Sequence, residues 1–127
     1  MQSICRCQIF FVTLQAKTIT DMRQSEVIGK IQEVAHRVLP KGSTLYLYGS
    51  RARGDYREDS DWDLLALLPE RNMSKDDKLN LSCDFWEEGQ RINQDFNTFV
   101  YTQNEWSSAP ASLFKYNVRN EGIKIWG

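Results

Sequence analysis

From Asp21 onward the apolar positions of the chain keep a regular rhythm. Val27, Ile28, Ile31, Val34, Ala35 and Val38 recur at three- and four-residue steps, which places them on one side of an amphipathic helix that ends before Pro40. Pro40-Lys41-Gly42-Ser43 reads as a turn, and Thr44 to Tyr48 (TLYLY) has the β-branched and aromatic content of a strand. A second strand runs from Asp61 to Leu68 and is closed by Pro69. Ser74 to Ile92 opens on a capping residue and sets Leu79, Phe85, Trp86 and Ile92 toward one side, which predicts a second long helix. A third strand follows at Phe96 to Thr102, then a helical turn near Glu105-Trp106. A helix from Ser112 to Glu121 comes next, with Gly122 as its stop and IKIW as a last short strand. This order predicts an α/β chain of the α+β type, a small mixed β-sheet with helices packed on it.

Composition narrows the function classes. A chain of 127 residues is a single-domain length, able to bury about two thirds of its unfolded surface. The formal net charge is -1 with 26% charged residues, so no basic excess attracts a nucleic-acid backbone, and polymer nucleic acid is an unlikely partner. Cys5, Cys7 and Cys83 are an odd number with no zinc-like second pair and read as reduced thiols, which points to a cytoplasmic protein. The apolar run Ile9 to Leu14 is too short to span a bilayer and lacks a small-residue cleavage site, so no export signal or membrane segment is expected. Residues 1–21 are read as an N-terminal extension, either an extra strand or a translated leader ahead of Met22, and residues 22–127 as the functional domain.

The chemistry is concentrated in YGSRARGDYREDSDWDLLALL, Tyr48 to Leu68. Gly49 and Ser50 fall where the first strand ends; the glycine admits a ligand close to the backbone, and the serine hydroxyl with neighbouring N–H groups suits phosphate oxygens. Arg51 and Arg53 are candidates to add fixed positive charge. Ten residues on, Asp61 and Asp63 flank Trp62. In a strand alternate side chains share a face, so the two carboxylates point the same way with Cα atoms roughly 6.5 to 7 Å apart. A divalent cation relieves their repulsion, and Mg²⁺ is commonly held by one or two carboxylates plus substrate phosphates. Trp62 and Leu64 then face a helix-covered core.

GSRARGDYREDSDWDLLALL resembles the signature of the DNA polymerase beta-like nucleotidyltransferase superfamily, a Gly-Ser pair followed after a loop by Asp-x-Asp on a strand. In detail it is similar to the minimal nucleotidyltransferases, G-S-x-A-R-G, a variable loop, then S-D-x-D-[LI]. Gly49, Ser50, Ala52, Arg53, Gly54, Ser60, Asp61, Asp63 and Leu64 all match. The resemblance runs from about Met22 to the C-terminus and includes VYTQNEW. It implies the polymerase beta-like fold and transfer of a nucleoside monophosphate, AMP from ATP or another nucleoside triphosphate, to an acceptor hydroxyl with release of pyrophosphate. By position, Gly49, Ser50 and Arg53 bind the nucleotide, and Asp61 and Asp63 are catalytic and hold the Mg²⁺ ions. Two metals ~3.5 to 4 Å apart serve the attacking and leaving oxygens.

The family usually adds a third carboxylate on a later strand. Here the aligned position is Asn97, an amide that is neither a base nor a strong ligand for a hard cation, while Asp95 lies two residues earlier. Period-2 alternation puts Asn97, Phe99 and Tyr101 on one face. Three function classes stay open. Small single-domain members pair with a helical HEPN-type ribonuclease toxin and act as its antitoxin by adenylylating a tyrosine. Antibiotic-type small-molecule nucleotidyltransferases carry an additional helical domain. A weak or inactive nucleotide- or protein-binding module is the third. His36, Trp86, Trp106, Trp126, Tyr46 and Tyr48 are assigned no chemistry.

Overall fold

The computed structural model of the protein describes residues 23–69 and 72–127. The N-terminal extension, with its Ile9 to Leu14 run and Cys5 and Cys7, lies outside the described residues. The elements are α1 (Gln24–Val38), β1 (Thr44–Tyr48), α2 (Ser50–Arg53), β2 (Trp62–Leu68), α3 (Lys75–Arg91), β3 (Phe96–Thr102), α4 (Gln103–Ser108), α5 (Leu113–Glu121) and β4 (Ile123–Trp126). The four strands form one mixed sheet in the order β3-β2-β1-β4. β1 pairs antiparallel with both β2 and β4, whereas β2 and β3 run parallel, joined by the α3 crossover.

Strand alternation divides the molecule into two layers. Leu45 and Leu47 of β1, Trp62, Leu64, Ala66 and Leu68 of β2, and Phe96 and Val100 of β3 join Val27, Ile31, Val34 and Ala35 of α1 and Phe85 of α3 in the main core. The opposite residues, Tyr46, Tyr48, Leu65, Leu67 and Tyr101, meet Trp106, Phe114 and Val118 of α4 and α5. Phe114 is the hub of this second cluster, with ring centroids 5.4 Å from those of Tyr48, Phe99 and Trp106. Full burial of Trp62 and Phe85 removes large apolar surfaces from water, each worth on the order of 3 kcal/mol.

The helix ends follow local rules. Ser74 caps α3 by accepting from the Asp77 N–H at 3.1 Å, and Thr102 and Glu105 form a reciprocal capping box on α4. Gly122 does end α5, but at φ -66°, in extended rather than left-handed backbone. It is glycine because a Cβ there would run into the Val118 carbonyl.

The face expected for α3 needs correction. Phe85, Gly89 and Ile92 are buried, but Leu79 and Trp86 are exposed. At about 100° per residue Leu79 and Trp86 stand roughly a third of a turn from Phe85, so they share a stripe of their own. The helix instead turns Gly89 to the sheet, where a Cβ would meet the Gln94 carbonyl oxygen at 2.7 Å and the Phe96 ring at 2.9 Å. The close approach selects the packed face.

Candidate functional site

The candidate site lies where β1 ends and β2 begins, on the layer that carries the aromatic cluster. Tyr48 is paired with Asp63 across the two strands, so the residue after Tyr48 is delivered beside that carboxylate. Gly49 leaves the strand at φ 79°, ψ -161°, and caps the single turn of α2. A Cβ at Gly49 would meet Asp63 Oδ2, and φ 79° disfavours any L side chain there, so glycine suits the position. Ser50 opens α2 and Arg53 closes it, with Gly54 in the left-handed conformation at φ 96°.

Asp61 is exposed just ahead of β2, one residue before the strand expected to begin with it, and Asp63 is half-buried within β2, near enough for the charge of Asp61 to act on it. Burial raises the Asp63 carboxyl above its ordinary range. A hydrogen bond from Asn97 and the charge of Arg53 oppose that rise, while the charges of Asp61 and Glu121 reinforce it. Asn97 is the register partner of Asp63 on β3, and its amide donates to the carboxylate. Asp95 goes elsewhere: its Oδ1 accepts from Gln90 Nε2 at 3.2 Å, and its carbonyl accepts from the Trp62 N–H at 2.8 Å. It lines a separate open hollow with Glu58, Asp59 and Ser60. Of the two candidates for the third position, Asn97 therefore meets Asp63.

The two arginines of the turn have opposite fates. Arg51 is buried and its guanidinium lies between the rings of Tyr56 and Trp62, 4.5 Å from each centroid. It donates to the carbonyls of Glu58 at 3.0 Å and Ser60 at 3.1 Å, so it holds the loop that leads into Asp61. The expectation that Arg51 presents charge to a ligand is thus corrected: its charge is spent on loop carbonyls and ring faces. Arg53 is about half exposed and faces the site, where its Nη1 contacts both oxygens of Glu121 at 3.1 and 3.2 Å. Its Nε contacts Asp55 at 3.3 Å.

Glu121 is the residue that sequence reasoning missed. Its Oε1 also accepts from the Gly49 N–H at 2.9 Å, across 72 positions of sequence. No motif marks it; only the return of β4 beside β1, pairing Ile123 with Leu47, brings the end of α5 to the loop.

The family model for "Polymerase beta, Nucleotidyltransferase" matches residues 29–127. The chain belongs to this family. It is a nucleotidyltransferase domain in which the matched segment contains both halves of the signature. Comparison with curated proteins gives no match. Among solved structures, the nucleotidyltransferase resembles a toxin-antitoxin protein crystallised with AMP-PNP, at 21% identity and a TM-score of 0.59, over 79% of this chain and 73% of that one. It also resembles a Sulfolobus solfataricus protein named provisionally as a nucleotidyltransferase, at 22% identity and TM-score 0.54, over 88% and 86% of the two chains. A chain of a mutant MntA-HpeT toxin-antitoxin complex matches at 17% identity and TM-score 0.56, over 84% and 74%. These likenesses establish the shared fold. Among the described residues no helix is long and apolar enough to cross a membrane.

The donor set suits a hard divalent cation. Asp61 and Asp63 offer oxygen ligands beside the Asn97 amide, and their mutual repulsion is of the kind a cation relieves. Among the described residues no group of three or more His, Cys, Asp or Glu converges on a metal position. Two carboxylates fit Mg²⁺ bound jointly with phosphate oxygens and water rather than in an all-protein cage.

Proposed function

We propose that this nucleotidyltransferase moves AMP from ATP to an acceptor hydroxyl, a tyrosine of a HEPN-type protein partner, and so acts as an antitoxin. The observation that carries the reading is the apposition of Gly49 and Ser50 at the end of β1 with Asp61 and Asp63 at the start of β2, with the Asp63 carboxylate against the Gly49 backbone. Gly49, Ser50 and Arg53 bind the triphosphate. Asp61 and Asp63 hold Mg²⁺, which supplies charge neutralisation at the phosphates when bound. The acceptor oxygen bonds to the α-phosphorus as the bond to the β-phosphate bridging oxygen breaks, and pyrophosphate leaves. The acceptor proton passes through a carboxylate of Asp61 or Asp63 to solvent, because the Asn97 amide has no basic atom.

A protein acceptor is supported by exposed apolar side chains on the same layer as the site. Phe99 is 45% exposed, two residues beyond Asn97 on the same face, and Leu113 and Tyr116 of α5 are 73% and 63% exposed. Exposed apolar side chains on the layer of the sheet that carries the site suit a macromolecular surface. The toxin-antitoxin assembly of two structural relatives accords with it. The amide at position 97 favours a second reading, a nucleotide- or protein-binding module with weak turnover.

Calorimetry with Mg-ATP and intact-mass analysis after incubation with a partner protein test the proposal together. Mg-dependent ATP binding is expected in the wild type and is sharply reduced in Asp61→Asn, Asp63→Asn. A gain of one AMP is expected on the partner. Unchanged binding in the double variant removes the metal-site assignment, and binding without any transfer leaves the binding module as the better reading.

A further inference from the structure

Glu121 places an anionic oxygen on the two groups of the turn that a phosphate would use. One oxygen of its carboxylate takes the Gly49 N–H, and both oxygens take the Arg53 guanidinium. A phosphate oxygen has the same chemistry, an anion accepting charge-assisted hydrogen bonds from a backbone N–H and a guanidinium. The side chain is 19% exposed and its backbone is fixed on both sides, by α5 before it and by the pairing of Ile123 with Leu47 after it. We propose that Glu121 is an internal competitor for the triphosphate, holding Arg53 and the Gly49 N–H in the free protein and yielding them when nucleotide binds. The inference rests on the nucleotide-binding reading above and adds how that site is regulated.

The charge around the turn argues against a purely structural tie. Asp55, Asp63 and Glu121 all act on Arg53, with Asp61 beside Asp63, and among the described residues the other arginine of this turn, Arg51, is committed to the Glu58 and Ser60 carbonyls. An amide oxygen would satisfy the Gly49 N–H equally well without adding repulsion against Asp63. The carboxylate matters for its effect on Arg53. While Glu121 and Asp55 both engage the guanidinium, its field at an incoming phosphate is cancelled, and binding must include an exchange of anions on Arg53. An incoming Mg-bound triphosphate supplies both the replacement anion for Arg53 and the cation for Asp61 and Asp63, so exchange is easiest for the loaded nucleotide. Glu121 thereby discriminates against small lone anions, which bring no cation.

The test is Glu121→Gln, which keeps an oxygen for the Gly49 N–H and removes the competing charge. Calorimetry is run on wild type, Glu121→Gln, Arg53→Gln and the double variant, with Mg-ATP and with Mg-free inorganic tripolyphosphate. The expected result is that Glu121→Gln binds both ligands more tightly, on the order of tenfold, the gain being larger for tripolyphosphate. The gain should vanish in the Arg53→Gln background, and the melting temperature should change little. Equal or weaker binding by Glu121→Gln, with wild type still binding Mg-ATP, overturns the competitor role alone and makes Glu121 a brace for the loop. A gain that survives Arg53→Gln overturns it too. If neither wild type nor Glu121→Gln binds either ligand, the nucleotide-binding reading falls and takes this inference with it.

Discussion

The two faces of the sheet are built from the same strands and do different work. On β2, Trp62, Leu64, Ala66 and Leu68 are sealed under α1 and α3, with no exposed polar group among them. One residue out of step, Asp61 and Asp63 lead into a face that α4 and α5 cover with aromatic rings but leave open at the β1 end. Because side chains alternate, the even positions of this segment pack into the main core, while the odd ones run from Asp61 and Asp63, the proposed metal ligands, to Leu65 and Leu67 in the aromatic cluster. The comparison implies that the two properties separate by single substitutions.

Trp62→Ala gives the largest expected effect, a loss of about 3 to 5 kcal/mol measured by urea denaturation, from the cavity left in the core and the loss of a ring for Arg51 to stack on. A loss below 1 kcal/mol would mean that the even positions of β2 do not carry the fold. On the odd face, Asn97→Asp should raise the rate of AMP transfer by up to ~10²-fold, since it places a third carboxylate opposite Asp63. The control is Asp95→Asn, whose side chain is held by Gln90 and should not matter to turnover. If Asp95→Asn abolishes transfer while Asn97→Asp leaves it unchanged, the third position is Asp95.

The smallest effect concerns the cost of Asp63 to the fold. Its carboxyl is raised above its ordinary value by burial, so ionising it is harder in the folded protein than in the unfolded chain. Stability from this group is fully present below the unfolded pKa and is lost as pH rises through the higher folded one. Asp63→Asn is therefore expected to melt slightly higher than wild type at neutral pH, and the difference should close as pH falls below the ordinary aspartate range. A difference that widens in acid would show that Asp63 is a stabilising anion.

Much of the architecture was legible because burial follows period. The stripe of α1 and the strands at 44–48 and 96–102 follow from spacing alone. Two kinds of information were not. The signature singles out Arg53, but the burial of Arg51 depends on where Tyr56 and Trp62 lie in space. The Glu121 contact depends on which strand returns beside β1, a question of topology that no local pattern encodes. The face of α3 was misjudged for a related reason: large residues suggested burial, but the backbone approach at Gly89 decides the orientation.

The collision awaiting any Cβ at Gly49 has a consequence for how this turn can change by inheritance. The obstacle is a carboxylate oxygen of Asp63, not a bound ligand, and so it is present whether or not the site is in use. A lineage cannot gain a side chain at 49 while Asp63 keeps this position. Nor does shortening residue 63 fully release the constraint, because φ 79° still disfavours an L-residue at 49. Selection therefore meets Gly49 under two constraints at once, the backbone of the turn and the neighbouring carboxylate.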